Sequence, residues 1–243
     1  MARRLDDLQN GYRIYQDPAS FCFGIDAVLL AHYASLKPGD RVLDLGCGNG
    51  AVPLIMIARA PSDVTFCGVE IQPEAASLAR DSVSYNGLEE RVTIVEGDLR
   101  QMPPGGEDRF KEAFRVVTAN PPYYKAGSGR LSKETRKAAA RHELTAGLKD
   151  FVRAAAVSLC SNGRFYMIHI PERLPEIFRE LSDAGLEPKT MRLVHPSEGQ
   201  APTMVLIGAV KGGKPGLKAE APLIIYGPDG TYTDEVMAFY RPL

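Results

Sequence analysis

Short apolar runs alternate with longer amphipathic or alanine-rich segments through most of the chain. The short runs are rich in valine, isoleucine, leucine and phenylalanine, a composition typical of buried strands. Asn86-Gly87 and Asn162-Gly163 follow two of the longer segments and are usual helix stops. We therefore predict strands at residues 41–45, 64–69, 92–96, 114–118, 164–170, 186–194 and 203–210. We predict helices at residues 25–36, 51–60, 73–86, 148–159 and 172–184.

The order of these elements indicates an α/β fold. Strands that alternate with helices as far as residue 184 favour a doubly wound, mainly parallel sheet of seven strands. The last two strands have no helix between them, which predicts an antiparallel hairpin at one edge. We expect a single domain over residues 1–243, with an N-terminal cap (1–36), a catalytic core (37–210) and a C-terminal extension (211–243) that contains a further strand at 223–226.

Composition limits the classes of function. The chain has 243 residues, of which 44% are hydrophobic, and a net charge of −1, so contact with RNA requires positive charge that is concentrated locally. No apolar run reaches the ~18 residues that span a bilayer, and no signal peptide is recognisable at the start of the chain. Scattered cysteines without a CxxC pair indicate reduced thiols in a cytoplasmic protein and no metal site: Cys22, Cys47, Cys67 and Cys160.

A glycine-rich segment, DLGCGNG, joins the first core strand to the next helix. Glycines let a ligand approach the backbone closely, and the helix N-terminus offers unpaired N–H donors. In an open α/β sheet ligands bind at the carboxyl ends of the strands. Acidic residues stand at the ends of the first three core strands, where Glu70 suits a ribose diol and Asp98 an adenine edge. The predicted cofactor-binding residues are Asp44, Gly46, Cys47, Gly48, Gly50, Glu70, Ile71, Asp98, Leu99 and Asn120.

Two classes of cofactor fit such a loop. NAD-binding proteins usually carry GxGxxG, with the pyrophosphate on the helix N-terminus. Here the glycine spacing is GxGxG, and Asp44 lies two residues before Gly46. A carboxylate at that position repels pyrophosphate and attracts the ammonium and sulfonium groups of S-adenosyl-L-methionine. We therefore favour S-adenosyl-L-methionine as the cofactor, and an NAD-binding module remains an alternative.

The pentapeptide Asn-Pro-Pro-Tyr-Tyr at 120–124 follows the fourth core strand directly. It combines a side-chain amide, a stiff backbone turn and aromatic rings, which together suit a planar amino group held beside a methyl donor. The Asn120 side-chain oxygen and the Pro121 carbonyl can accept hydrogen bonds from an exocyclic amine, and Tyr123 can stack on the base that carries it. The predicted catalytic residues are Asn120, Pro121, Pro122 and Tyr123.

These motifs resemble those of class I S-adenosyl-L-methionine-dependent methyltransferases that methylate amino groups. In that family an (Asp/Asn)-Pro-Pro-(Tyr/Phe) motif follows the fourth strand, as NPPYY does here. LDDLQNGYRIYQDPASFCFGIDAVLLAHYA near the N-terminus, RKAAARHE at 136–143 and IIYGPDGTYTDEV at 224–236 are similar to bacterial tRNA (adenine-N6)-methyltransferases. Those enzymes modify adenine 37, in the anticodon loop of a valine tRNA. Asp26, in FGIDAVLL, can cap the first helix or contact the methionine end of the cofactor, and the resemblance favours the second role.

The motif alone does not choose between substrates, because enzymes that methylate protein glutamine share it. Between residues 125 and 141, six of 17 residues are basic, and such a run next to the catalytic turn suits the phosphates that flank a flipped nucleotide. The predicted substrate-binding residues are Tyr123, Tyr124, Lys125, Arg130, Lys133, Arg136, Lys137 and Arg141. We predict a monomeric tRNA adenine-N6 methyltransferase. The alternative is another amino-methyltransferase, which acts on rRNA, DNA or a protein glutamine.

Overall fold

A computed structural model of the chain describes residues 3–18, 22–102, 110–123 and 146–240. Its strands are β1 (Arg4–Asp7), β2 (Arg13–Gln16), β3 (Arg41–Leu45), β4 (Thr65–Glu70), β5 (Val92–Glu96), β6 (Phe114–Ala119), β7 (Leu159–His169), β8 (Leu186–Ser197), β9 (Met204–Lys211), β10 (Lys218–Ala219) and β11 (Leu223–Tyr226). Its α-helices are α1 (Ile25–Tyr33), α2 (Ala51–Ala58), α3 (Pro73–Tyr85), α4 (Leu148–Ser158), α5 (Leu174–Asp183) and α6 (Asp234–Ala238).

The central sheet has the strand order β8-β9-β7-β6-β3-β4-β5, and β10 and β11 both lie parallel to β8 on its outer side. Strands β3 to β7 are parallel to one another, whereas β9 is antiparallel to both β7 and β8. The predicted doubly wound sheet, its seven principal strands and its antiparallel edge hairpin are therefore confirmed. The strand expected at 223–226 is β11.

The chain reverses its direction across the sheet between β3 and β6. From β3 it proceeds through β4 to β5, and it then returns to pair β6 with the other side of β3. The loops that leave β3 and β6 therefore diverge above adjacent strand ends, which is where open α/β sheets bind ligands. Two apolar clusters cover the two faces of the sheet, with α1, α2 and α3 on one face and α4 and α5 on the other.

Several boundaries differ from the sequence prediction for identifiable reasons. The predicted helix at 148–159 ends at Ser158, and Asn162-Gly163 does not stop it but lies within β7. The register of β7 against β6 shifts there, and Asn162 has a positive φ of 59°, which is the geometry of a bulge. Helix α1 ends at Tyr33 rather than residue 36, and the Arg59 guanidinium donates to the carbonyls of Ala31 and Ala34 at that end.

The N-terminal segment also contains an antiparallel hairpin, β1–β2, that sequence patterning did not predict. Side chains of α3 and of the turn that follows it bind the hairpin. Ser82 Oγ accepts from the Tyr15 N–H at 2.9 Å, and Asn86 bonds both backbone groups of Arg13 at 2.9 and 2.7 Å. Asn86 is thus both the predicted helix stop and a hairpin anchor. Within the described ranges, every helix is too short or too polar to cross a bilayer.

Candidate active site

The loops after β3 and β6 enclose a cavity of about 350 Å³, within the usual size range of small-molecule sites. Strand register sets the two loops beside each other, because Asp44 on β3 is paired with Thr118 on β6 and Leu45 with Ala119. Helix α1 closes one side with Asp26 and Ala27, and Phe151 of α4 contributes from the opposite face. The cavity therefore brings together the glycine loop, the Asn-Pro-Pro-Tyr turn and the first helix.

The glycine loop is folded tightly against the end of β4. The backbone N–H groups of Gly46 and Cys47 both bond the Val69 carbonyl, at 2.8 and 3.1 Å. Gly46 has a φ of +68°, and a Cβ there would meet the Phe151 ring at 3.2 Å. Gly50 begins α2 at a φ of +86°, and a Cβ there would lie 3.3 Å from that of Ala79. The left-handed conformations and the close packing explain why this turn needs glycine at both positions.

Glu70, the last residue of β4, holds the glycine loop in place through hydrogen bonds to the backbone. Its Oε2 accepts from the Gly48 N–H and its Oε1 accepts from the Gln72 N–H, each at 2.9 Å. The side chain is buried, with 4% relative exposure, yet it lines the cavity. Glu70 thereby ties the glycine loop to the segment that opens α3. Its predicted contact with a ribose diol remains a prediction.

Asp44 is a buried carboxyl group in the wall of the cavity. Its Oδ1 accepts a hydrogen bond of 2.7 Å from the Thr118 hydroxyl. Burial raises the pKa of Asp44 to about 7; the bond from Thr118 opposes this rise, and the negative charge of Glu70 adds to it. A cation in the cavity would favour the ionised form of Asp44. Burial also raises the pKa of the neighbouring Cys47 thiol, which is therefore neutral and unreactive.

Asp98 lies two residues beyond β5 and lines the cavity. Its carboxylate accepts from the backbone N–H of Arg100 at 2.9 Å and from the guanidinium of the same residue at 2.7 to 3.0 Å. The hydrogen bond from Arg100 keeps the pKa of Asp98 below its usual value, so the group is ionised near neutral pH. Its predicted role at an adenine edge stays a prediction.

The Asn-Pro-Pro-Tyr turn is bonded to α1. Asn120 Nδ2 and the Tyr123 hydroxyl both donate to Asp26 Oδ2, each at 2.9 Å. The Tyr123 ring centroid lies 5.4 Å from that of His169, with 52° between the planes. Burial, followed by the charge of Asp26, raises the pKa of Tyr123, so its hydroxyl keeps the proton that it donates. Burial lowers the pKa of His169 to about 4, and that ring is neutral near pH 7.

Most of the residues predicted from sequence to form the site line this one cavity: Asp26, Asp44, Gly46, Cys47, Gly48, Glu70, Ile71, Asp98, Leu99, Asn120, Pro121, Pro122 and Tyr123. Gly50 does not line it and lies at the start of α2. The rest of the predicted substrate-binding set lies outside the described residues: Tyr124, Lys125, Arg130, Lys133, Arg136, Lys137 and Arg141.

Sequence reasoning missed four residues that shape the site. Thr118 could have been found from strand alternation, since it lies two positions before Asn120 and so shares its side of β6. Asn49, inside the glycine motif, donates to the Tyr15 carbonyl at 3.1 Å and so binds the unpredicted hairpin. Phe151 and His169 reach the site from later elements, and no local motif marks either of them.

Comparison with known proteins is consistent with this geometry. Residues 36–194 match the sequence profile of a family described as a methyltransferase domain. The tRNA1(Val) (adenine(37)-N6)-methyltransferase of Shewanella amazonensis is 31% identical over 217 residues, which are 89% of this chain and 88% of the relative. The enzyme of the same name from Aeromonas hydrophila is 28% identical and covers 95% of this chain, with 93% of its own length matched.

A solved structure supports the fold independently. The crystal structure of a protein from Agrobacterium tumefaciens, described as a predicted O-methyltransferase, aligns with a TM-score of 0.70 and 24% identity. The alignment covers 90% of this chain and 98% of that one. At this identity the likeness concerns the fold alone, which is the class I methyltransferase architecture.

Proposed function

This chain belongs to the tRNA1(Val) (adenine(37)-N6)-methyltransferase family, and on that premise we propose that it methylates N6 of an adenine in the anticodon loop of a valine tRNA. S-adenosyl-L-methionine is the methyl donor. These relatives align over about nine tenths of the chain, which extends well beyond the matched methyltransferase domain. This coverage supports the specific activity of the relatives rather than methyl transfer in general.

The charge of the cavity is the observation that carries the proposal. Four acidic side chains line it, and no lysine or arginine occurs among the described residues of its wall: Asp26, Asp44, Glu70 and Asp98. An acidic wall favours the ammonium and sulfonium of S-adenosyl-L-methionine and disfavours the pyrophosphate of NAD. The residues therefore fit the expected cofactor, which supplies an electrophilic methyl group when it is bound.

We assign the cofactor to the glycine loop and to the acidic residues around it. Asp44 attracts the amino-acid end of the cofactor, Glu70 faces its ribose and Asp98 lies toward its adenine. Gly46 and Gly48 let the cofactor approach the backbone, and Cys47, Ile71 and Leu99 provide apolar or backbone contacts. Asn120, the first residue of the Asn-Pro-Pro-Tyr turn, borders both the cofactor and the acceptor amine.

The turn selects the acceptor amine. The lone pair of adenine N6 is delocalised into the ring, so the amine is a poor nucleophile. Hydrogen bonds from its two N–H groups to Asn120 Oδ1 and the Pro121 carbonyl favour a tetrahedral nitrogen and stabilise the positive charge that develops there. Pro121 lacks an N–H and has a restricted φ, which keeps its carbonyl in place. The nitrogen can lose its proton after transfer, so no strong base is required.

Methyl transfer to bulk tRNA, compared with transfer to a release-factor protein, tests the substrate class. We expect tritium from labelled S-adenosyl-L-methionine in tRNA, and N6-methyladenosine among the nucleosides of that tRNA by mass spectrometry. Label in the protein alone would refute the tRNA assignment and would favour the glutamine alternative. Sequencing of the modified tRNA then identifies its species and the position of the methylated adenine.

The raised pKa of Asp44 predicts that cofactor binding depends on pH. Below pH 7 the carboxyl group is largely neutral and attracts a cation weakly, whereas above pH 7 it is ionised. The affinity for S-adenosyl-L-methionine should therefore rise roughly tenfold as the pH increases from 5.5 to 7, because one carboxyl group, that of Asp44, ionises when the cofactor binds. Calorimetry in buffers of different ionisation enthalpy should detect release of a proton on binding. Asp44→Asn should abolish that proton release, and unchanged release in this variant would refute the assignment.

The basic run after the catalytic turn provides a separate prediction. Lys133→Glu with Arg136→Glu should raise the KM for tRNA by roughly tenfold and weaken its dependence on salt, because fewer phosphates are neutralised. A matched reversal of two exposed lysines, Lys214→Glu with Lys218→Glu, should leave KM within about twofold. Lys218 pairs with Thr190 of β8, and Lys189 of that strand bonds the Lys214 carbonyl, so both lysines lie far from the carboxyl end of β8. Equal KM values for the two double variants would show that the basic run does not bind RNA.

We further propose that the enzyme acts as a monomer in the cytoplasm and needs no metal ion. Folded tRNA is a cytoplasmic substrate, and the proposed methyl transfer uses hydrogen bonds and charge rather than a Lewis acid.

A further inference from the structure

The carboxylate of Asp26 lies between the two polar side chains of the Asn-Pro-Pro-Tyr turn. Its Oδ2 accepts from Asn120 Nδ2 and from the Tyr123 hydroxyl, each at 2.9 Å. These contacts join α1, near the start of the chain, to a turn about a hundred residues later, since the sequence separations are 94 and 97. One oxygen atom thus contacts both the predicted amine-binding residue and the predicted base-stacking residue.

A carboxylate can only accept hydrogen bonds, whereas a carboxamide has one end that donates and one that accepts. The two orientations of the Asn120 amide, related by a rotation of about 180°, are nearly equal in shape and differ only in their partners. Asp26 selects the orientation in which Nδ2 faces the carboxylate. The accepting atom, Oδ1, is then on the other side of the amide. Only this orientation can receive a hydrogen bond from an exocyclic amine.

Tyr123 is held from two sides by the same arrangement. Its hydroxyl donates to Asp26, and its ring packs near the neutral ring of His169. Arg173 Nη1 approaches the Tyr123 carbonyl at 3.5 Å, while Glu176 binds the guanidinium of Arg173 at two points, at 2.9 and 3.1 Å. The plane of the Tyr123 ring is therefore fixed before any base arrives.

Asp26 is itself held firmly. Its other oxygen, Oδ1, accepts from the Ala27 N–H at 3.0 Å, and a Cβ at Gly24 would lie only 2.8 Å from that oxygen. The following turns of α1 are buried in the core. At the far end of the helix, the Tyr33 hydroxyl donates to Thr190 at 2.6 Å. The carboxylate therefore sits on a rigid element, as the orientation of a catalytic amide requires.

We propose that Asp26 is a positioning residue for methyl transfer, which sets the Asn120 amide with Oδ1 toward the acceptor amine and holds the Tyr123 ring for the base. This inference rests on the proposed amine methylation and deepens it. It differs from a role for Asp26 as an anchor of the methionine end of the cofactor. In the anchor role Asp26 acts on cofactor affinity, whereas in the positioning role it acts on the rate of transfer.

Asp26→Asn tests the proposal, because it keeps the size of the side chain and replaces one accepting oxygen with an NH₂ group that donates. We expect the single-turnover rate at saturating S-adenosyl-L-methionine and tRNA to fall by roughly 10- to 100-fold, the range of coupling between groups in contact. The Kd for S-adenosylhomocysteine and the KM for tRNA should stay within about threefold. Asp63→Asn, at an exposed aspartate, is the matched control and should retain the wild-type rate.

Two outcomes would overturn the proposal. An unchanged rate in Asp26→Asn would show that the amide needs no carboxylate. A rise in Kd for S-adenosylhomocysteine that accounts for the whole loss of activity would assign Asp26 to the cofactor instead. Should Asp26→Asn not fold, Tyr123→Phe removes only one of the two bonds and should lower the single-turnover rate by a few-fold. Full activity of that variant would then count against the positioning role.

A measurement that needs no substrate separates this inference from the proposed function. With ¹⁵N-asparagine labelling, the side-chain amide signals of Asn120 are assigned by their loss in Asn120→Ala. One of the two Nδ2 protons should exchange slowly and resonate downfield in the wild type, and this asymmetry should disappear in Asp26→Asn. Unchanged Asn120 side-chain signals in Asp26→Asn would refute the positioning role. Failure of the wild-type enzyme to methylate tRNA would refute the proposed function and leave the NMR result decisive for Asp26.

Discussion

Replacement of Asn120 by alanine is expected to lower the turnover number by roughly 10²- to 10³-fold, the usual cost of losing a preorganised polar group that acts in the transition state. The variant loses the Oδ1 acceptor for the amine and also the amide that bonds Asp26. The loss should appear in the rate of methyl transfer at saturating tRNA and S-adenosyl-L-methionine, measured from the appearance of N6-methyladenosine.

Cofactor binding is the internal control for Asn120→Ala. The bonds that shape the glycine loop come from Val69 and Glu70 rather than from Asn120. The Kd for S-adenosylhomocysteine should therefore change by no more than a few-fold, and the melting temperature with the ligand should rise as in the wild type. Loss of cofactor binding would contradict the catalytic role assigned to Asn120 and would leave only its predicted role in cofactor binding.

Substitution of Glu70 by glutamine is expected to weaken binding of S-adenosylhomocysteine by roughly 10- to 100-fold. In the wild type each carboxylate oxygen accepts from a backbone N–H, the buried one of Gly48 and the partly buried one of Gln72. A glutamine side chain can satisfy only one of them, and its NH₂ group would face the other donor. Leaving a buried donor unpaired costs about 1–3 kcal/mol, so the glycine loop should lose its binding conformation. Isothermal titration calorimetry measures the change in affinity.

Glu96→Gln is a matched control for Glu70→Gln. Glu96 is the register partner of Glu70 on β5, but its side chain is exposed and approaches Arg80 only at 3.8 Å. Exposed ion pairs contribute little to stability, so this variant should bind S-adenosylhomocysteine with wild-type affinity. If both variants bind equally well, the two hydrogen bonds of Glu70 do not shape the cofactor site.

The sequence determined the architecture because its signals are local. Apolar runs and the alternation of elements predicted the doubly wound sheet, and each of the seven principal strands overlaps its predicted range. The glycine motif and the Asn-Pro-Pro-Tyr turn both follow strands directly. Parallel strands present their carboxyl ends at one edge, so the meeting of these motifs in one cavity could be predicted without coordinates.

Tertiary structure decided the boundaries and partners that depend on remote residues. Asn162-Gly163 has the composition of a helix stop, but pairing of β7 with β6 makes it a bulge within a strand. The β1–β2 hairpin escaped prediction because its bonds go to Ser82, Asn86 and Asn49, distant side chains that no local pattern reveals. Strand pairing and surface complementarity act between segments far apart in sequence, beyond the reach of a short window of residues.

Within the active site the same division applies. The sequence by itself determined which chemical groups are available there: an amide and a proline carbonyl that can accept hydrogen bonds from an amine, and acidic strand ends that suit a cationic cofactor. Only the tertiary structure decided how they are oriented. Thr118 donates a hydrogen bond to Asp44, two backbone N–H groups donate to Glu70, and Asp26 accepts from both Asn120 and Tyr123. Residue type fixes what a side chain can donate or accept, whereas its orientation depends on partners that folding brings from other parts of the chain.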